Sequence, residues 1–202
     1  MPIKANTDVF TIREGSTITL DFTSGQSESQ FTTVSIPTQL DTLGREVLMI
    51  QEVDFDIQGL AYFLGVMARA DGSVSQGADQ LVNGNITVTL TEVDPNVDPN
   101  ALLLESPHFI ASREVTAISG WTMVVDDNPD TASYSSVAAA DHPLFTSAAS
   151  TLFLTVSGNF QGNDPGTGTA APAGLRGMVR IMAQRGKADA DTYAAIVTGL
   201  YA

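Results

Sequence analysis

Glu52, Asp54 and Asp56 stand at alternate positions of one long apolar-rich stretch, Glu46 to Gln58. In an extended strand, alternate side chains share a face and lie about 6.5 to 7 Å apart. Carboxyls so placed can act as the acid and base of glycoside hydrolysis, which needs about 5 to 9.5 Å between them. They can equally help to hold calcium, face a cationic partner, or form a plain solvated acidic surface. A sugar hydrolase would also want aromatic platforms, and the chain has one tryptophan, Trp121, and four tyrosines. The two histidines, His108 and His142, each adjoin a proline. They lack the i, i+2 or i, i+4 spacing that places two imidazoles on one metal. No HExxH, P-loop, GxSxG or dinucleotide fingerprint occurs. With no cysteine there is no thiolate nucleophile and no disulfide. The chain reads as a protein that is not an enzyme and that needs no cofactor.

Two loops offer hard oxygen ligands of the kind calcium prefers. One carries Asp94 and Asp98 among prolines and asparagines; the other carries Asp126, Asp127 and Asp130. Neither follows the spaced DxDxDG pattern, and Asp and Asn are turn residues in their own right. Asn85-Ile86-Thr87 matches a glycosylation sequon, which is taken as chance in a chain whose first residues hold no secretory apolar stretch.

Charge narrows the partners. The formal net charge is −14, so direct nucleic-acid binding is not expected. Four of the nine basic residues nevertheless gather near the end: Arg176, Arg180, Arg185 and Lys187. Arg176 and Arg180 share a strand face and are suited to meet an acidic surface such as the Glu52 face, within a subunit or between subunits. Exposed ion pairs add only about 0 to 1 kcal/mol each, so their use would be register and partner choice.

The elements that must carry these residues are strands. Alternation with period two recurs at Val9 to Arg13, Thr17 to Thr23, Phe31 to Ile36, Glu46 to Gln58, Ala61 to Ala70, Ile86 to Thr91, Phe109 to Ile118 and Trp121 to Val125. Leu152 to Val156 reads as a central strand, and Leu175, Val179 and Ile181 oppose Arg176, Arg180 and Gln184 in the last one. Along Glu46 to Gln58 the expected inner face is Val47, Met49, Val53, Phe55 and Ile57, interrupted by Gln51. Glu14-Gly15, Thr42 to Gly44, Asp71-Gly72, Asn83-Gly84 and Ser119-Gly120 are the expected breaks, and Gly158 to Gly174 an expected surface loop. After Asp189 or Asp191 the period changes. Tyr193, Ile196, Val197, Leu200 and Tyr201 then follow the spacing of an amphipathic helix.

Eight to ten strands in 202 residues, with one short helix, predict an all-β protein: a two-sheet antiparallel sandwich of jelly-roll type. The expected division is a sandwich over residues 1–187 and a C-terminal amphipathic helix over 188–202. No apolar run approaches the roughly 18 residues of a membrane span, and none is expected.

The strand count, the long loops, the missing catalytic set and the terminal helix together resemble single jelly-roll capsid proteins of icosahedral viruses. The closing segment, Leu175 to Asp189 followed by Thr192-Tyr193-Ala194-Ala195, looks like the ends of marine phage structural proteins. The resemblance implies a virion protein made in the host cytoplasm, a homo-oligomer that contacts copies of itself and other virion proteins. Arg176, Arg180, Arg185, Tyr193, Ile196, Val197, Leu200 and Tyr201 are its candidate interface residues. The first fifteen residues hold only Lys4 and Arg13 as bases, unlike the basic arm that many small RNA virus capsid proteins use on their genome. The alternative from another class is a carbohydrate- or receptor-binding sandwich, as in a phage fibre or a lectin. Its scattered candidates are Trp121, Tyr134 and Tyr62.

Overall fold

A computed structural model describes residues 3–20, 27–58, 82–119, 134–136, 145–162 and 173–201. The strands expected at 61–70 and 121–125, with His142, Asp126, Asp127 and Asp130, lie outside these residues. Ten strands are present among the described residues. They are β1 (Lys4–Ala5), β2 (Phe10–Leu20), β3 (Ser27–Pro37), β4 (Glu46–Gln58), β5 (Val82–Thr91), β6 (Phe109–Ser119), β7 (Tyr134–Ser136), β8 (Phe145–Ser147), β9 (Thr151–Gly162) and β10 (Ala173–Lys187). A helix, α1 (Ala190–Tyr201), follows.

All pairings are antiparallel and form two sheets. In the first, β10 lies between β4 and the pair β1 and β2, and the short strands β7 and β8 extend β4. The second runs β3-β9-β5-β6. Apart from β5 and β6, neighbours in each sheet are far apart in sequence, and the first long strand is sealed to the last. This is the strand order of a jelly roll, two Greek keys folded face to face.

Apolar residues at alternate positions of both sheets meet in one core. Ile50, Val53, Phe55, Ile86, Val88, Leu90, Leu154, Val156, Leu175 and Ile181 are each at most 4% exposed. Gly177 of β10 faces inward, against Val156 and Val88 of the other sheet. A Cβ built there would stand 2.6 Å from a methyl of Val156 and 2.7 Å from one of Val88.

Three sequence expectations change in the folded chain. Glu14-Gly15 is no break: β2 runs through it, and Gly15 sits beneath the Met178 side chain, where a Cβ would come within 2.9 Å of Met178 Cγ. Asn83-Gly84 likewise lies inside β5, in register with β6 and β9. The expected loop from Gly158 to Gly174 is shorter, because β9 extends to Gly162 and β10 begins at Ala173. In each case ladder hydrogen bonds on one or both sides outweigh the turn preference of the dipeptide.

The fourth change concerns faces. The β4–β10 register slips between Met182 and Ala183, so that Gln51 is an extra residue in β4. A bulge of this kind reverses side-chain parity. Leu48 and Ile50 therefore join Val53, Phe55 and Ile57 in the core, and Val47 and Met49 point out of the sandwich. There they meet α1. Tyr193, Ile196 and Val197 cover Val47, Met49, Ala148 and Ala188, with Ile3 of the N-terminal segment beside them. Asp189 caps the helix, its Oδ1 accepting the Thr192 N–H at 2.8 Å, and that bond holds its carboxyl below the usual range. A helix of twelve residues is marginal alone, so this packing holds it.

Gly177→Ala is expected to destabilise the fold by about 1–3 kcal/mol, since two β-branched side chains on two strands must move. Urea unfolding of the variant checks this, and no loss of stability would show that the sheets have slack at this point.

Candidate functional site

The residues singled out for chemistry come together on the outer face of the first sheet. Register places Arg13, Arg180 and Asp54 in one row across β2, β10 and β4. The next row is Gly15, Met178 and Asp56, and the third is Thr17, Arg176 and Gln58. Because Gly15 has no side chain, the middle row is low. Arg13, Arg176, Arg180, Asp54 and Asp56 rim a depression of about 640 Å³ over it.

The ion pairs are internal to the chain. Arg180 Nε donates to Asp54 Oδ2 at 2.7 Å, its Nη2 also bonds Asp54 Oδ2, and Nη2 reaches Glu52 Oε1 at 3.3 Å. The hydrogen bond and charge of Asp54 raise the guanidinium pKa further. The Arg180 side chain is 46% exposed, so this clamp orders the face more than it stabilises the fold. Asp56 accepts from Gln58 Nε2 at 2.8 Å. Asp54 Oδ1 is buried and has no hydrogen-bond partner among the described residues. The acidic strand face therefore meets the basic one within the subunit, where Arg180 holds Asp54 and Glu52.

Other candidates are placed elsewhere. Arg185 points toward the core end of β10. Its guanidinium stacks 5.4 Å from the Phe10 ring centre and donates to the Thr38 carbonyl at 3.1 Å. Tyr193, Ile196 and Val197 lie on this chain's own sheet, as described above; Leu200 and Tyr201 end the same helix. Asp94 and Asp98 turn onto their own loop. Asp94 Oδ1 accepts from Asn96 N at 2.9 Å and Nδ2 at 2.8 Å. Asp98 Oδ1 accepts from Asn100 N at 3.0 Å, capping the 3₁₀ turn Pro99–Leu102. Among the described residues no group of three acids or histidines could hold a metal ion.

Two buried charged residues escaped the sequence reading. Arg113 sits at an inward position of β6 and donates from Nη1 to the Phe55 carbonyl at 3.1 Å, joining the two sheets. Its signal was a charged residue in the apolar parity of Ala111 and Val115. Glu92, one residue past β5, is 6% exposed and bonds Ser147 of β8. Its N–H donates to the His108 carbonyl at 2.9 Å. Glu92 Oε1 and His108 Nδ1 are both buried without a partner among the described residues. Burial pushes the Glu92 carboxyl up to about 7, against a smaller opposing effect of the Ser147 bond.

No protein-family model matches the chain, and no curated protein matches it. Solved structures do. Merkel cell polyomavirus VP1 in complex with GD1a oligosaccharide is similar at a TM-score of 0.48 and 10% identity, covering 94% of this chain and 99% of that one. Trichodysplasia spinulosa-associated polyomavirus VP1 gives 0.47 and 11% over the same shares. Chimpanzee polyomavirus VP1 gives 0.44 and 10%, again over 94% and 99%.

The Glu92 carboxyl makes stability depend on pH. Its folded pKa is above the unfolded value, so the folded state holds the proton longer, and the contribution of this group to stability is fully present below pH 4.5 and is lost as pH rises through about 7. The decline from this group is on the order of 3 kcal/mol. Denaturant midpoints for the wild type and Glu92→Gln across this window check it. The expected result is a flatter profile for the variant, and parallel profiles would mean that Glu92 ionises freely in the fold.

Proposed function

We propose that this chain is a virion structural protein, a capsid subunit that builds an icosahedral shell through contacts between copies. The observation that carries the reading is the strand order, β10 between β2 and β4 in one sheet and β3-β9-β5-β6 in the other. Jelly rolls of this order serve as viral shell domains and as lectins and cupins.

Two features favour the shell among those uses. A jelly roll that holds a small molecule between its sheets needs an open interior, and here Gly177 lies against Val88 and Val156 within a continuous apolar core. A calcium-dependent lectin draws on loop carboxylates, and Asp94 and Asp98 each turn one oxygen onto an asparagine of their own loop. Arg180, bound by Asp54 and Glu52, likewise supports a structural rather than a catalytic use of the acidic strand. The warrant is one of fold and site together.

In this reading the sandwich of residues 1–187 is the shell domain and 188–202 an accessory helix that thickens its outer face. The protein resides in the virion after synthesis in the host cytoplasm, and its partners are further copies and other virion proteins. The acidic charge leaves genome binding to another component. The likeness of the closing segment to marine phage structural proteins makes a bacterial or archaeal virus the proposed source. No helix among the described residues is long and apolar enough to cross a membrane.

Light scattering with negative-stain microscopy on the purified chain, over a range of protein and salt concentrations, tests the proposal. Rings, pentamers, hexamers or closed shells are expected. A monodisperse monomer under every condition, also when mixed with the virion's other proteins, would remove it.

A further inference from the structure

The outer face of β2, β10 and β4 leaves both signs of charge short of partners. Arg13 stands directly opposite Arg180 in the β2–β10 register. Like charges facing across a ladder are unfavourable, and the carboxylates that hold Arg180 lie on its far side, on β4. Arg176 is exposed opposite Thr17 and Gln58, with no carboxylate in its row. On the acidic side, Asp56 is half-buried and its hydrogen bond comes from the neutral amide of Gln58. Three of the nine basic residues of a chain with net charge −14 therefore stand in one stripe, beside a stripe formed by Glu52, Asp54 and Asp56.

A purely anionic partner would satisfy the arginines and repel the carboxylates, and a purely cationic one would do the reverse. The partner must bring both stripes in the same arrangement. We propose that this face is a self-complementary docking surface for a second copy of the chain, related by a two-fold axis in the contact plane and parallel to the strands. That rotation lays the arginine stripe of each copy over the carboxylate stripe of the other, as an isologous contact requires. The charged rows fix register and exclude wrong partners more than they supply affinity. The contact does not rest on the shell reading, because a two-fold pair forms with or without a shell.

The symmetry makes a specific test. In a homodimer of Arg176→Glu, each glutamate stands over the partner's Gln58, one row from its Asp56 and within diagonal side-chain reach, so carboxylates are brought together twice. In a homodimer of Asp56→Arg, arginine meets the partner's arginines twice. In the mixed pair every contact is again between opposite charges. Sedimentation equilibrium of the full chain should show wild-type association, a loss of about tenfold or more in each single variant, and recovery in the equimolar mixture. Thermal melts of the variants serve as the folding control, and Arg13→Glu, on the neighbouring strand, reports on the same stripe if either variant fails to fold. Wild-type protein that stays monomeric, variants that associate like the wild type, or a mixture that fails to recover would each overturn the contact. Shells that form normally from both variants would overturn it and leave the proposed function standing.

Discussion

Side-chain parity along β4 is the constraint on which the rest of the structure depends. Residues 47 to 50 are apolar at both parities, so the first half of the strand can be buried on two faces. Residues 52 to 58 alternate strictly between acidic or amide side chains and Val53, Phe55 and Ile57. A regular strand that buried Leu48 and Ile50 would also bury Glu52, Asp54 and Asp56, at a cost of several kcal/mol for each unpaired charge. A regular strand of the other parity would bury Gln51 among aliphatic side chains. The extra residue at Gln51 avoids both. Gln51 is left to bond Gln184 at 2.9 Å, the acids face outward, and the sandwich core continues unbroken through Ile50 and Val53.

Two surfaces follow from that bulge. Val47 and Met49 become an apolar patch outside the sandwich, and the chain's own last segment covers it. Gly186 permits the approach, since a Cβ there would come within 2.7 Å of an Ile3 methyl and 2.8 Å of Met49 Cε. Farther along the same face the acids meet Arg180, and the surface changes from apolar to charged within a few residues. One strand thus presents the core, the helix platform and the charged face, and β10, paired with β4 through the bulge, carries the complement of each.

The connections between β3 and β4, β5 and β6, and β8 and β9 gather at the end of the sandwich where β10 also finishes. Thr38 bonds to Ser150, and Ala188 to Arg45, across that end. Here the polar groups are fixed by one another: Asp41 accepts from Gly44, Glu46 accepts from Asp41 and Asn6, and Arg185 donates to the Thr38 carbonyl. Gln39 and Arg45 hold positive φ, at 57° and 60°, a conformation kept only where the surrounding bonds over-determine it. Glu92 is the exception at this end, a buried carboxyl bonded to the Ser147 hydroxyl.

The sequence by itself determined the class of fold, the strands at Glu46 to Gln58, Phe109 to Ile118 and Leu175 to Gln184, a helix beginning after Asp189 or Asp191, and the lack of a recognisable catalytic set. Those follow from local rules: the two-residue period of a pleated strand, the capping chemistry of aspartate and the fixed spacing of catalytic motifs. The meeting of Arg180 with the Glu52 face was legible too, because strand parity sets which charges share a face. Tertiary structure alone decided the rest. Whether Gly15 and Gly84 break a strand depended on the partners that continue the ladder. The faces of Leu48 and Val47 depended on a bulge whose benefit appears only when both sheets and α1 are in place. Arg113 and Glu92 are buried because of what packs over them, and no local pattern encodes a neighbour that is distant in sequence.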